Sequence, residues 1–117
     1  MITLRETKLK ILADRRWWKL YFYDFVDDFR RHQDLQMIAE PFELGDEKLD
    51  ALLASTVEKL CDELKLEIPH WIRNIPSTKE PYFVSGLENL KAISIVQSPL
   101  RFKMRNIFVS EIFLSRA

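Results

Sequence analysis

Carboxylates, two histidines and three closely spaced cations are the residues of this chain whose types could do chemistry. Asp24 and Asp28 stand four apart, so on a helix they share a face where they could hold a divalent cation or raise one another's pKa. The same spacing also suits a plain solvated face. Asp46, Glu47 and Asp50 crowd the start of an apolar-periodic stretch, where the helix dipole favours them without any function. His32 and His70 are distant in sequence, and neither has a second ligand-type residue at zinc spacing. With only two glycines, no Gly-x-Ser-x-Gly elbow and no phosphate loop can be drawn. These residues give no catalytic, cofactor-binding or metal site, and the expectation is a protein that is not an enzyme.

Arg101, Lys103 and Arg105 alternate with Phe102 and Met104. On a strand the three cations would share one face. On a short helix they spread round an exposed arc while Phe102 and Met104 turn inward. Either arrangement could contact phosphate, which makes these three the candidate nucleic-acid-binding residues. The competing reading is that they pair with acidic residues elsewhere in the fold. Charge distribution supports that competitor: the total is zero, but residues 37–68 hold 3 basic and 9 acidic residues, whereas residues 69–117 hold 7 basic and 3 acidic. An acidic middle and a basic end can neutralise one another on folding.

The elements that must position these residues read as helices. Trp18, Phe22, Phe25 and Phe29 follow spacings of four, three and four, one face of a helix running from Asp14 or Arg15 to Arg31. Trp17, Tyr21 and Tyr23 make that aromatic stripe broader than a surface helix needs. Either this helix is central, or part of its aromatic surface meets a partner, with Trp17, Tyr21 and Tyr23 as the partner-binding candidates. Asp46 is placed to cap a second helix, on which Leu49, Leu52, Leu53, Val57, Leu60 and Leu64 keep helical period. Pro69, Pro76 and Pro81 then impose short turns and irregular chain up to Phe83, with Trp71 and Ile72 as anchors. A further helix is expected over Leu87–Val96 with Leu87, Leu90 and Ile93 inward and Val96 as a further inward candidate. Ser98-Pro99 suits a cap and first position for a helix ending at Asn106. Ile107 to Val109 leaves room for a small strand, and Ser110 with Glu111 for a final turn.

The length, 117 residues, fits one domain able to bury about two thirds of its unfolded surface without staples. Cys61, the single cysteine, lies between Leu60 and Leu64 and reads as a buried thiol, which fits a reducing compartment. Arg5, Glu6, Lys8 and Lys10 interrupt the first residues, unlike a signal peptide, and no run approaches the ~18 apolar residues of a membrane span. The expected protein is soluble and cytoplasmic, with no membrane partner. The expected core contains Trp18, Phe22, Phe25, Phe29, Leu49, Leu53, Leu60, Leu64, Trp71, Leu90, Ile93 and Phe108.

The stretch Glu80-Pro81-Tyr82-Phe83 through Leu90-Lys91-Ala92, then Ser98-Pro99 through the basic run to Ile107-Phe108-Val109, and the closing Leu114-Ser115-Arg116-Ala117, resembles a small, poorly characterised bacterial helical domain. Such domains often follow a helix-turn-helix region or stand in toxin–antitoxin-like settings. The resemblance covers about the last fifty residues, carries no catalytic residue, and implies a partner-binding or antitoxin-like role. Too little chain precedes Trp17 for a helix-turn-helix.

The reading is thus an all-α, compact single-domain helical bundle spanning residues 1–117, with proline-rich irregular connections and at most a small strand. Its expected function is a non-catalytic protein-binding module, antitoxin-like or regulatory, whose partner is a toxin-like protein or a second copy. The alternative is a nucleic-acid-binding accessory protein using Arg101, Lys103 and Arg105. No cofactor is expected.

Overall fold

The computed structural model describes residues 1–85 and 90–115. Helix makes up 59% and strand 4% of it, so the all-α expectation with a small strand holds.

The first helix, α1 (Leu4–Ala13), opens on Thr3, whose hydroxyl accepts from the Glu6 amide at 3.1 Å. It buries Leu4, Thr7, Lys8 and Ile11, a helical face whose two middle residues are polar. That is why apolar periodicity did not announce it. Asp14 caps a short 3₁₀ turn over Arg15–Trp17, and α2 (Trp18–His32) follows. Phe22, Phe25, Val26 and Phe29 are its buried stripe, with Phe25 and Phe29 stacked at 5.8 Å. Trp18 is half-buried and meets Phe22 edge-on at 5.8 Å. Gln33 stops the helix in the left-handed conformation, φ 51°.

The central element is α3 (Glu47–Leu64), not α2. Asp46 caps it as expected, accepting from the Leu49 amide at 3.1 Å, and residues 49–58 are buried without a break. A helix covered on all sides is a core helix. Lys65, φ 58°, ends it. Cys61 is buried there, and that burial pushes its thiol pKa up to about 11, with Asp62 and Glu58 adding to the shift.

Around α3 the proline-marked chain is short and hydrogen-bonded. Trp71, on α4 (His70–Arg73), donates its indole N–H to the Ile38 carbonyl at 2.9 Å and lies edge-on to Phe42 at 5.1 Å. The strand β1 (Tyr82–Phe83) pairs in parallel with β2 (Ile107–Phe108), Tyr82 opposite Ile107 and Phe83 opposite Phe108. Between them lie α5 (Lys91–Gln97) and α6 (Leu100–Lys103). Asn106 takes the expected left-handed conformation, φ 66°. Residues 111–114 form the final turn.

Several expectations need correction. Met104, expected to turn inward, is exposed, and the core residue of β2 is Ile107 rather than the half-buried Phe108. Ser98 does not cap α6; Pro99 immediately precedes that helix, and the Ser98 hydroxyl accepts from the Val109 amide at 2.8 Å. Leu90, Ile93 and Val96 are not inward but exposed, while Ser94 is the buried residue of α5. The hydroxyl bond from Ser98 to the chain after β2 ties this segment down, and it turns the serine side of α5 inward. Leu87, the expected start of that helix, lies outside the described residues, as do Arg116 and Ala117.

Candidate functional site

The three aromatic candidates on α2 do not converge. Trp17, at the helix entrance, is 51% exposed, with Leu20 exposed one turn on and the Arg16 guanidinium 5.8 Å from the indole centroid. Tyr21 is half-buried and packs on the core. Tyr23 lies on a different side of the helix, and its hydroxyl donates to the Phe113 carbonyl at 2.5 Å, holding the C-terminal turn. Trp17 and Leu20 are thus presented outward, while Tyr23 has structural work.

The three cations are separated more sharply. Arg105 is buried and paired with buried Glu58 of α3; it also donates to the carbonyls of Ile75 at 3.1 Å and Ile72 at 2.9 Å. Arg101 grips Asp62 through two nitrogens, at 2.8 and 3.1 Å, and lies 3.8 Å from Glu58. The hydrogen bond to Asp62 raises the Arg101 pKa, against the opposing effect of burial. Lys103 is exposed and reaches back to the Val96 carbonyl at 3.3 Å. Two of the three cations therefore answer the acidic middle of the chain.

Among the carboxylate and histidine candidates, Asp46 lines the concavity beside α1, and Glu47 and Asp50 line another of ≈ 330 Å³ with Leu44, Gly45 and Pro76. Asp28 accepts from the Ile2 amide at 2.7 Å and sits 3.3 Å from His32. Among the described residues, no three His, Cys, Asp or Glu side chains gather as metal ligands would.

Carboxylates that brace the fold make stability depend on acid. The Ile2 amide holds Asp28 below its usual pKa against some desolvation. Burial works against ionised Asp46, but the Arg15 hydrogen bond and the Leu49 amide outweigh it. The Arg30 guanidinium, bidentate at 2.9 and 3.0 Å, lowers Glu63. A lowered carboxylate stabilises the fold above its unfolded pKa and loses that contribution as pH falls through its folded one. The urea midpoint should hold from neutrality to about pH 5 and fall steadily below about pH 4. A flat profile down to pH 3 would contradict these pairings.

Three concavities bear on the cations and on α5. One, of ≈ 460 Å³, lies between α1 and the Phe42–Asp46 loop. Its cations are already engaged, Arg5 with Glu40, Lys8 with Asp50 and Arg15 with Asp46. A second, of ≈ 330 Å³, runs beside α5, walled by Val84, Leu90, Ile93, Val109 and Phe113 with Lys19 among its lining. A third, of ≈ 290 Å³, gathers Arg73, Arg101 and Arg105 around Glu58, with Met104 on its wall.

The last two flank the least expected surface of the molecule. In α5, Ile93 and Ile95 are each 49% exposed and Val96 is 77% exposed; Leu100 and Met104 follow at 70% and 59%. Exposed apolar side chains gathered in one short segment mark an interaction surface, although Ile95 points away from Ile93 and Ser98-Pro99 separates the two helices. Sequence reasoning misses it because Ile93, Val96, Leu100 and Met104 form a helix-spaced stripe, the normal mark of an inward face. Ser94 and Ser98, also four apart, are the countersignal.

No family of proteins, no curated protein and no solved structure is found to match this chain. Among the described residues no helix is long and apolar enough to cross a membrane.

Proposed function

We propose that this chain is a non-catalytic protein-binding module, antitoxin-like or regulatory in role, whose docking surface is the outward face of α5 and α6. The observation that carries the reading is the inversion of α5, which buries Ser94 and exposes Ile93, Ile95 and Val96. Exposing that much aliphatic surface forgoes about 25 cal/mol for each Å² left in water, a cost that a partner removes by covering it. The adjoining 330 Å³ groove adds concave walls in which anchor side chains can seat. Trp17 with Leu20 offers a smaller second patch. The nucleic-acid alternative gains little from Arg101 and Arg105, since both are committed to carboxylates of α3.

The test is a tagged purification from the native host, washed in low and then high salt, with wild type, Val96→Glu and Trp17→Ala side by side. One protein should stay with the wild type in near-equal amount through high salt, be lost by Val96→Glu, and persist with Trp17→Ala. Loss on Trp17→Ala alone would move the interface to α2. Recovery of nucleic acid alone, released by salt, would sink the protein-binding reading.

A further inference from the structure

The apolar face of α5–α6 has charge at its edges, and the cations there outnumber the carboxylates, Glu58 and Asp62, that pair with them. At its far end Met104 lines the cavity that also holds Arg73, Arg101 and Arg105, three guanidiniums against the single carboxylate of Glu58 in that lining. Arg105 spends its donors on Glu58 and two backbone carbonyls, and Arg101 spends most of its own on Asp62. Arg73 is exposed and makes no salt bridge among the described residues. Beside Val96 stands exposed Lys103, and Lys19 lines the groove along the other flank of α5.

From this arrangement, and resting on the protein-binding reading above, we infer that the partner presents an amphipathic helix with acidic flanks. Its apolar side chains lie over Ile93, Val96, Leu100 and Met104 and enter the groove walled by Val84 and Phe113; its carboxylates meet Arg73, Lys103 and Lys19. Helix-in-groove docking uses anchors at one- and two-turn spacing, and the exposed side chains recur every three or four residues on either side of the Ser98-Pro99 break. Cationic edges discriminate by charge, because a basic helix would be repelled at both ends. A second copy of this chain meets the same objection, since a two-fold contact centred on this face sets the cations of one edge against those of the other. An anionic membrane would also attract cations, but a bilayer does not fill a groove of ≈ 330 Å³ walled on both sides.

Two synthetic helical peptides with the same leucine face test this, one with glutamates on its flanks and one with lysines, titrated against the full chain by fluorescence anisotropy. The glutamate peptide should bind about tenfold more tightly than the lysine peptide, and that ratio should shrink as salt is raised. Arg73→Glu should weaken the glutamate peptide about fivefold and leave the lysine peptide no worse. Val96→Glu, at an exposed position that the fold tolerates, should remove binding of both. Equal binding of the two peptides overturns the acidic assignment while leaving a protein interface standing. Failure of both peptides to bind overturns the helix-in-groove occupant, and the purification above then judges the module reading separately. Sedimentation with anionic phosphatidylglycerol vesicles in place of peptide binding would identify a membrane surface instead. A wild-type dimer that Val96→Glu converts to monomer would identify a second copy as the occupant.

Discussion

Replacing Glu58 by Ala should lower the stability of the fold by about 3–5 kcal/mol, a large share of what a domain of this size possesses. Glu58 is 3% exposed, and its carboxylate faces Arg105, itself buried, with Arg101 at 3.8 Å. Truncation leaves the Arg105 guanidinium in the interior without a counter-charge, and an unpaired buried ion costs far more than the pair contributes net. The expected fall in melting temperature is roughly 10–20 °C. Replacing both partners, Glu58→Met with Arg105→Met, should recover part of this, because the stranded charge disappears. It should not recover all of it. Arg105 also serves the carbonyls of Ile72 and Ile75; the first keeps the Ile75 amide at 3.1 Å, but the second loses its donor, at a cost of about 1–3 kcal/mol if it stays dry. A double mutant no better than Glu58→Ala would mean that those carbonyls, not the ion pair, dominate. A single mutant within about 1 kcal/mol of wild type would mean that water reaches the site.

Sequence alone makes Arg105 a candidate phosphate contact, and its burial shows where such reading stops. The elements with dense apolar periodicity are legible: the Phe22–Phe29 stripe and the leucines of α3 fold as their spacing dictates, and Asp46 caps where expected. Asn106 and the two-residue strand beside it are legible from local chemistry too. What periodicity cannot say is which side of a short stripe faces in. In α5 two stripes compete, Ile93/Val96 against Ser94/Ser98, and a tertiary hydrogen bond from Val109 to Ser98 decides. Charge shows the same dependence. The 9 acidic residues of the middle segment indicate that cations elsewhere will be neutralised, but only the fold selects Glu58 and Asp62 as the ones that do it.

Lys8 is the other case in which tertiary structure overrides residue type, and it supports a second prediction. It occupies an inward position on α1 at 4% exposure, and a lone lysine there would break the helix face. It is held because Asp50, 4% exposed in the first turn of α3, meets its ammonium at 2.6 Å, with the Glu43 carbonyl accepting from it and the Phe42 ring 4.5 Å away. Asp50 also braces the chain ahead of its own helix. Its other oxygen accepts from the amides of Gly45 at 3.0 Å and Asp46 at 3.2 Å, fixing the loop that leads into α3. The two partners are therefore unequal. Asp50→Ala strands the ammonium and frees the loop amides, and should cost about 3–5 kcal/mol in urea unfolding. Lys8→Met keeps the aliphatic volume and leaves a carboxylate that still has two donors, so about 1–3 kcal/mol is expected. Lys8→Met with Asp50→Asn removes both charges while keeping an acceptor for the loop, and should lie closer to wild type than Asp50→Ala. If instead Lys8→Met proved the more damaging of the two single changes, the ammonium's contacts with Glu43 and Phe42 would be what seats α1. Otherwise the anchor between α1 and α3 is the carboxylate of Asp50, which joins a loop, a helix start and a buried cation through two oxygens.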